Sequence, residues 1–339
     1  GAPSPWRRES VKCPRLQLGA MARAPSERRK VHPAWLVLIA WLVFLVIVLA
    51  ATGPGLRRPV RYVKVHDGRY WTWYAPEDVW RSYGEQISKF FDYADRVYEA
   101  LRENLGVEPK SRVYLLVHPG GAGFAGFAVG DIAEIRALTG RRSPGIGVVY
   151  DAFLNEAYGI RGYWAYVLIA HEATNLFTGE GVTGGWPWAD GTDVWGRGSP
   201  FPYAVAVLVT EQLGLAEVSR THYRSLDPRD KPYVDLFIEL VRSKGWECVS
   251  RMFKLMIEDG VRLDAEGAPI SREPLKSHYV FLYLSLGCGE DLTDTLVKHG
   301  LRVDRDLMAK LFQAYANRAC DPEAWRRGEY AKVLECSRA

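Results

Sequence analysis

Asparagine and glutamine are nearly missing from this 339-residue chain: Asn occurs only at 104, 155, 175 and 317, and Gln only at 17, 86, 212 and 313. With Arg outnumbering Lys 32 to 12, the composition is that expected of a protein from a hot environment, where thermolabile amides are avoided. Each Asn that remains therefore asks for a reason. No Cys-x-x-Cys pair occurs among the five cysteines, which argues against a zinc site built from thiolates. Gly-x-Ser-x-Gly is missing too, so a serine nucleophile elbow has no support. A basic surface is missing from the main part of the chain. Residues 1–61 hold 11 Lys or Arg against 2 acids, while the other 278 residues hold 33 against 38, a net of −5. That balance argues against nucleic acid as a partner.

What is present begins with residues 34–51, 18 consecutive apolar residues that span about 27 Å as a helix and match a hydrocarbon core. The run is longer than a signal-peptide core and is followed by only a mediocre cleavage site, so it is read as a retained transmembrane anchor. Basic residues on its two flanks nearly balance. The short N-terminal tail then favours an inside N-terminus and an extracytoplasmic C-terminal domain. Residues 1–33 form a basic tail. The first Met is Met21, so residues 1–20 are open to being a non-native leader. On the exported side lie Cys248, Cys288, Cys320 and Cys336, an even number compatible with two disulfides or with four buried thiols. Of the possible pairs, Cys320 with Cys336, flanking one terminal helical segment, is the one expected.

After a linker at 52–59, two extended runs around Asp67-Gly68 predict a hairpin over 60–74. Apolar residues at three- and four-residue steps predict one helix over 85–105, with Gly106 as its left-handed cap. Two buried strands follow, 113–117 and 146–150. Beyond residue 160 the patterns are helical, including 161–178, 202–216, 290–299 and 322–335. The fold class expected is α+β, with a strand-bearing domain over 60–216 and a helical C-terminal subdomain over 217–339.

The chemistry concentrates in Tyr163 to Thr178, an apolar helical run that carries His171 and Glu172 and, one turn later, Asn175. Residues four apart share a helix face. In a His-Glu-x-x-His helix that face presents two imidazoles to one metal while the Glu activates water. Here the second position is Asn175. A lone His-Glu pair on a helix is otherwise a hydrogen-bonded core histidine beside an acid.

The order of hairpin, long helix, strand RVYLLVHP, Gly-rich loop, edge strand GIGVVYD and a helix bearing HEATN resembles the gluzincin-like metallopeptidases, over roughly residues 60–216. The resemblance implies a thermolysin-like arrangement, a small mixed sheet with an active-site helix, and a divalent metal such as Zn2+. It implies Glu172 as general base, with His171 and the position of Asn175 at the metal. In that family a downstream Trp-x-x-Glu-Gly supplies the third ligand. This chain has Trp188-Ala189-Asp190-Gly191, which makes Asp190 the candidate, with Asp193 in Gly191-Thr192-Asp193 as the second choice. Asn175 offers only a neutral amide oxygen, so the altered ligand set weakens zinc, favours a harder cation or leaves the site without a metal.

Competing motifs are weaker. Gly121 to Gly126 fits Gly-x-Gly-x-x-Gly formally, yet Pro119 and Gly120 separate it from the preceding strand, and a loop over the edge of a cleft is the better reading. The Gly- and Trp-rich stretch from 179 to 202 reads as a cleft wall for peptide or sugar, or as aromatics tucked under a long loop. Tyr203 and His278 are weighed as oxyanion donors and set aside. The function expected is a membrane-anchored, externally displayed metallopeptidase-like protein acting on peptide or protein. The alternative is a catalytically inactive binding module of the cell envelope on the same fold.

Overall fold

The chain turns at Asp67-Gly68, as its turn chemistry requires, and joins β1 (Tyr62–Asp67) antiparallel to β2 (Trp71–Pro76). Arg112 clamps the turn by donating to the Asp67 carboxylate and to the Gly68 carbonyl, each at 2.6 Å. Asp95 accepts from the backbone N–H of Arg69 and Tyr70. The computed structural model describes residues 60–120, 125–179, 200–263, 270 and 274–338. Val60–Ala339 form one compact unit. The expected membrane helix over 34–51 lies outside the described residues; among those described, no helix is long and apolar enough to cross a membrane.

The architecture is α+β, with a small mixed sheet and a helical C-terminal part. The sheet contains β3 (Val113–His118), β4 (Gly126–Val129) and β5 (Gly145–Val149), in the order β1-β2-β3-β5-β4. The pairs β2–β3 and β3–β5 are parallel, and β4 runs antiparallel to β5. All six residues of β2 are buried, as expected of a strand with neighbours on both sides and layers on both faces.

Three local expectations need correction. The segment GIGVVYD is an inner strand, because part of the Gly/Phe loop forms β4 and takes the edge. That same strand removes the dinucleotide reading, since Gly126 opens a strand where the motif needs a helix; Gly121 to Phe124 lie outside the described residues. The single helix over 85–105 is two helices, α1 (Glu77–Ser88) and α2 (Phe91–Leu105). The chain breaks at Lys89-Phe90 because two aromatic rings go different ways. Phe91 stacks on His66 at 4.0 Å, while Phe90 meets Phe153 and Tyr166 at 5.3 and 4.7 Å.

After β4 come α3 (Ala133–Thr139), a 3-10 turn at Tyr150–Phe153, and a tight hairpin of β6 (Glu156–Ala157) and β7 (Ile160–Arg161). Gly162 then starts α4 (Tyr163–Thr178) in the left-handed region, φ 68°, where any Cβ would lie 2.4 Å from the Phe90 ring. Glycine is required there for both backbone angle and space. The break between α1 and α2 and the entry to α4 thus fit each other.

The helical part comprises α5 (Pro200–Gln212), α6 (Ala216–Ser225), α7 (Lys231–Lys244), α8 (Glu247–Asp259), α9 (Leu275–Cys288), α10 (Thr293–Lys298), α11 (Arg305–Ala316), α12 (Pro322–Arg326) and α13 (Tyr330–Cys336). The expected helix over 322–335 is therefore split in two, and 290–299 is shorter than its pattern. α9 is its buried axis. Trp325 donates from Nε1 to Tyr283 Oη at 2.9 Å, Tyr283 donates to Asp259 at 2.7 Å, and Tyr279 donates to the Trp325 carbonyl at 3.0 Å. This network fastens α12 to α8 and α9 with its polar atoms satisfied.

Two disulfides close the set, Cys248–Cys288 between α8 and α9 and the expected Cys320–Cys336. They span 40 and 16 residues. By loop-closure entropy these are worth about 4 and about 3 kcal/mol respectively. Denaturant unfolding of a Cys248→Ala, Cys288→Ala double variant should show the larger loss, and one at 320 and 336 the smaller. Equal stability of both variants and the wild type would contradict the pairing.

Candidate functional site

α4 runs through the middle of the fold, and 13 of its 16 residues are buried. Polar side chains on such a helix must find partners inside the protein. Thr174 and Thr178 solve this locally by donating to the carbonyls of Ala170 and Thr174 at 2.8 and 2.9 Å. His171, Glu172 and Asn175 are each no more than 9 % exposed as well. Asn175 donates from Nδ2 to Glu172 Oε2 at 3.2 Å, while its Oδ1 is buried without a hydrogen-bond partner. The structure therefore brings Glu172 and Asn175 together directly and leaves the Asn175 carbonyl oxygen unused.

The other side of Glu172 is closed by β4. A Cβ at Gly126 would fall 2.8 Å from Glu172 Oε1 and 2.9 Å from its Cγ, so a side chain there would displace the carboxylate. The glycine lets the end of an edge strand rest on the acid. Gly126 pairs with Val148 near the carboxyl end of β5, and β4 has a neighbouring strand on one side only among the described residues.

His171 faces a different group. Its ring centroid lies 4.9 Å from that of Tyr203 on α5, and Tyr203 lies 5.9 Å from His222 on α6. Neither ring nitrogen of His222 has a hydrogen-bond partner, although the residue is only 3 % exposed. Burial, and then the neighbouring His222, push the His171 pKa down to about 3; burial alone pushes His222 down to about 4. Both imidazoles are uncharged at neutral pH and keep a lone pair free of protons. Burial first, followed by the carboxylates of Asp230, Glu172 and Asp227, raises the Tyr203 hydroxyl above its ordinary value.

His171, Glu172 and Asn175 thus share one buried helix turn. Asp190 and Asp193 lie outside the described residues. Among the described residues no group of three or more His, Cys, Asp or Glu is placed to hold a metal. The donors that are described suit a divalent cation in kind: an unprotonated imidazole at His171 and an unpaired amide oxygen at Asn175. They leave a third ligand to be supplied. His222 escapes a reading of the sequence because nothing in its spacing ties α6 to α4. Tyr203 shows no signal beyond its residue type. His278 serves the structure, since one ring nitrogen meets the Pro274 carbonyl at 2.7 Å and the other accepts from Asp304 N–H at 2.8 Å.

One turn before Glu172 on the same face of α4, Leu168 and then Trp164 form a wall of a cavity of about 690 Å3. Its other walls include Gly120, Ala125, Val149 and Tyr150, so it opens where the parallel strands β3 and β5 end, the usual position for a ligand crevice. Ala125 and Gly126 are consecutive, which makes Glu172 a neighbour of this cavity. Comparison with known protein families, curated proteins and solved structures finds no match.

The two depressed histidines fix a pH dependence. An unfolded chain binds protons at His171 and His222 from their ordinary pKa of 6.5 downward, whereas the folded chain resists until about 3 and about 4 respectively. Their contribution to stability is complete above pH 6.5 and is lost as the pH falls towards 3, by about 1.4 kcal/mol per pH unit for each fully titrating histidine. Urea unfolding between pH 7 and 4.5 should show this fall, and His222→Gln should make it shallower by about one proton. An unchanged slope would contradict the buried neutral state of His222.

Proposed function

We propose that residues 60–339 form a gluzincin-like peptidase domain in a thermolysin-like arrangement, displayed outside the cell by a membrane anchor at 34–51. It takes an extended peptide against β4 and hydrolyses it beside Glu172. The observation that carries this reading is the contact between a buried carboxylate and the end of an open edge strand, with the cavity alongside. An extended peptide adds to such an edge through main-chain hydrogen bonds, which places a peptide bond next to the acid below.

Within that reading Glu172 is the general base that takes a proton from the attacking water and passes it to the leaving nitrogen. Asn175 orients it by donating to Oε2. His171, the Asn175 carbonyl oxygen and Asp190 would hold the divalent metal, Zn2+ or a harder ion, with Asp193 as the alternative to Asp190. A cation there would supply Lewis-acid polarisation of the peptide carbonyl. Tyr203, its hydroxyl held protonated by burial first and then by the charge of nearby carboxylates, stands next to His171 as a hydrogen-bond donor.

A second reading, binding without hydrolysis, is favoured by one observation. Asn175 gives its amide to Glu172, and the described residues do not assemble a full ligand set. The same cleft then captures a peptide of the cell envelope and leaves it intact.

The two readings part in one experiment on the full chain. For the enzyme, Glu172→Gln should abolish peptide cleavage with metal content retained, a loss of at least 100-fold. Asn175→His should raise zinc affinity by completing a His, His, Asp set. A wild type that stays free of metal and inactive in excess zinc, cobalt or manganese would sink the enzyme and leave the binding module. For the anchor, the chain should stay in the membrane fraction through alkaline extraction while added protease digests residues 60–339. Release into the supernatant would overturn the anchor.

A further inference from the structure

The cavity beside Glu172 has a marked chemical bias. Among its described lining residues Asp151 is the sole charged side chain, and no Lys or Arg joins it. Its carboxylate is exposed and, among the described residues, makes no hydrogen bond or ion pair, acting only at longer range on His118, while its backbone carbonyl accepts from Leu154 and Asn155 and holds the 3-10 turn in place. Asn155 is also on the wall, with its Oδ1 buried behind the surface of the cavity. Tyr150 and Trp164 supply aromatic surface, and Trp164 is 37 % exposed in spite of its size. Tyr150 is held by stacking on Tyr83 at 5.8 Å.

An exposed carboxylate that is unpaired among the described residues, set between aromatic faces, is complementary to a cation that stacks. Guanidinium matches best, since it is planar, carries five donors and is less strongly hydrated than an ammonium. The cavity volume of about 690 Å3 accommodates an arginine side chain together with its solvent. Position gives this preference its meaning. Leu168 on the cavity wall is one turn from Glu172, and Ala125 precedes the glycine that touches it. A side chain seated here belongs to a residue next to the bond that faces Glu172.

We propose that this cavity is the specificity subsite for a basic side chain, arginine ahead of lysine, of the peptide that lies along β4. The proposal rests on the peptide-cleft reading of the site above.

The test uses the full-length chain in detergent with Glu172→Gln to prevent turnover, and calorimetric titration with three blocked pentapeptides. These are Ala-Ala-Arg-Ala-Ala and the same peptide with Gln or Glu at the centre; n-butylguanidinium serves as a probe of the cavity alone. The arginine peptide should bind at least tenfold more tightly than the glutamine peptide. Asp151→Asn should remove that difference, and Asp151→Lys should turn it towards the glutamate peptide. Because Asp151 is exposed and its structural bonds come from the backbone, both variants should keep the wild-type circular dichroism and melting temperature. Equal binding of the three peptides overturns the subsite and leaves the cleft standing. Binding of n-butylguanidinium that depends on Asp151, with no peptide bound at all, supports the cation preference of the cavity and overturns the cleft. If neither the peptides nor n-butylguanidinium bind, both fall.

Discussion

Everything else in this fold accommodates the burial of α4. A helix with apolar residues on nearly every side has to be enclosed, and the sheet, α2 and α5 enclose it. Enclosure then dictates the fate of its polar residues. Two threonines fold their hydroxyls back onto the helix, but a histidine, a glutamate and an asparagine are left in the interior with long side chains and few partners. An uncompensated polar group in such surroundings costs several kcal/mol by transfer to a medium without hydrogen bonds. On one turn of the central helix Asn175 gives its amide to Glu172 and leaves its own Oδ1 buried without a partner, a cost the fold accepts at its candidate site.

The parts of this arrangement that were legible in the sequence are those set by neighbours in the chain. Asp67-Gly68 announces the hairpin, Gly106 ends α2, and the apolar length of Tyr163 to Thr178 marks the buried helix. The break at Lys89-Phe90 was hidden because the apolar period runs through it unbroken. What interrupts the helix is the demand of two distant surfaces for two adjacent aromatic rings. β4 was hidden for the opposite reason. Four residues, Gly126 and Ala128 alternating with Phe127 and Val129, are too short a run to announce a strand, and the pairing with β5 makes them one. At the site, Glu172 and Asn175 were found because one helix turn links them. His222 was not, because its place beside Tyr203 is decided by how α5 and α6 fold back on α4.

The helical C-terminal part shows the same enclosure repeated with covalent help. α9 is buried along most of its length, and the Tyr279, Tyr283 and Trp325 network and the Cys248–Cys288 bond hold its neighbours to it. Both disulfides lie in this part, away from α4 in sequence. The strand-bearing half relies on packing and on the Arg112 and Asp95 clamps of its first turn. Reducing conditions therefore weaken the helical half first.

Among the described residues one side of β4 has no neighbouring strand, and this has a further consequence. A strand without a neighbour is a template for any backbone that meets it, including that of an identical molecule, and long flat edges are where proteins clump. Here the strand ends after four residues, which limits a chance pairing to a few hydrogen bonds. Where many copies meet at high concentration, the brevity of β4 limits their edge-to-edge pairing.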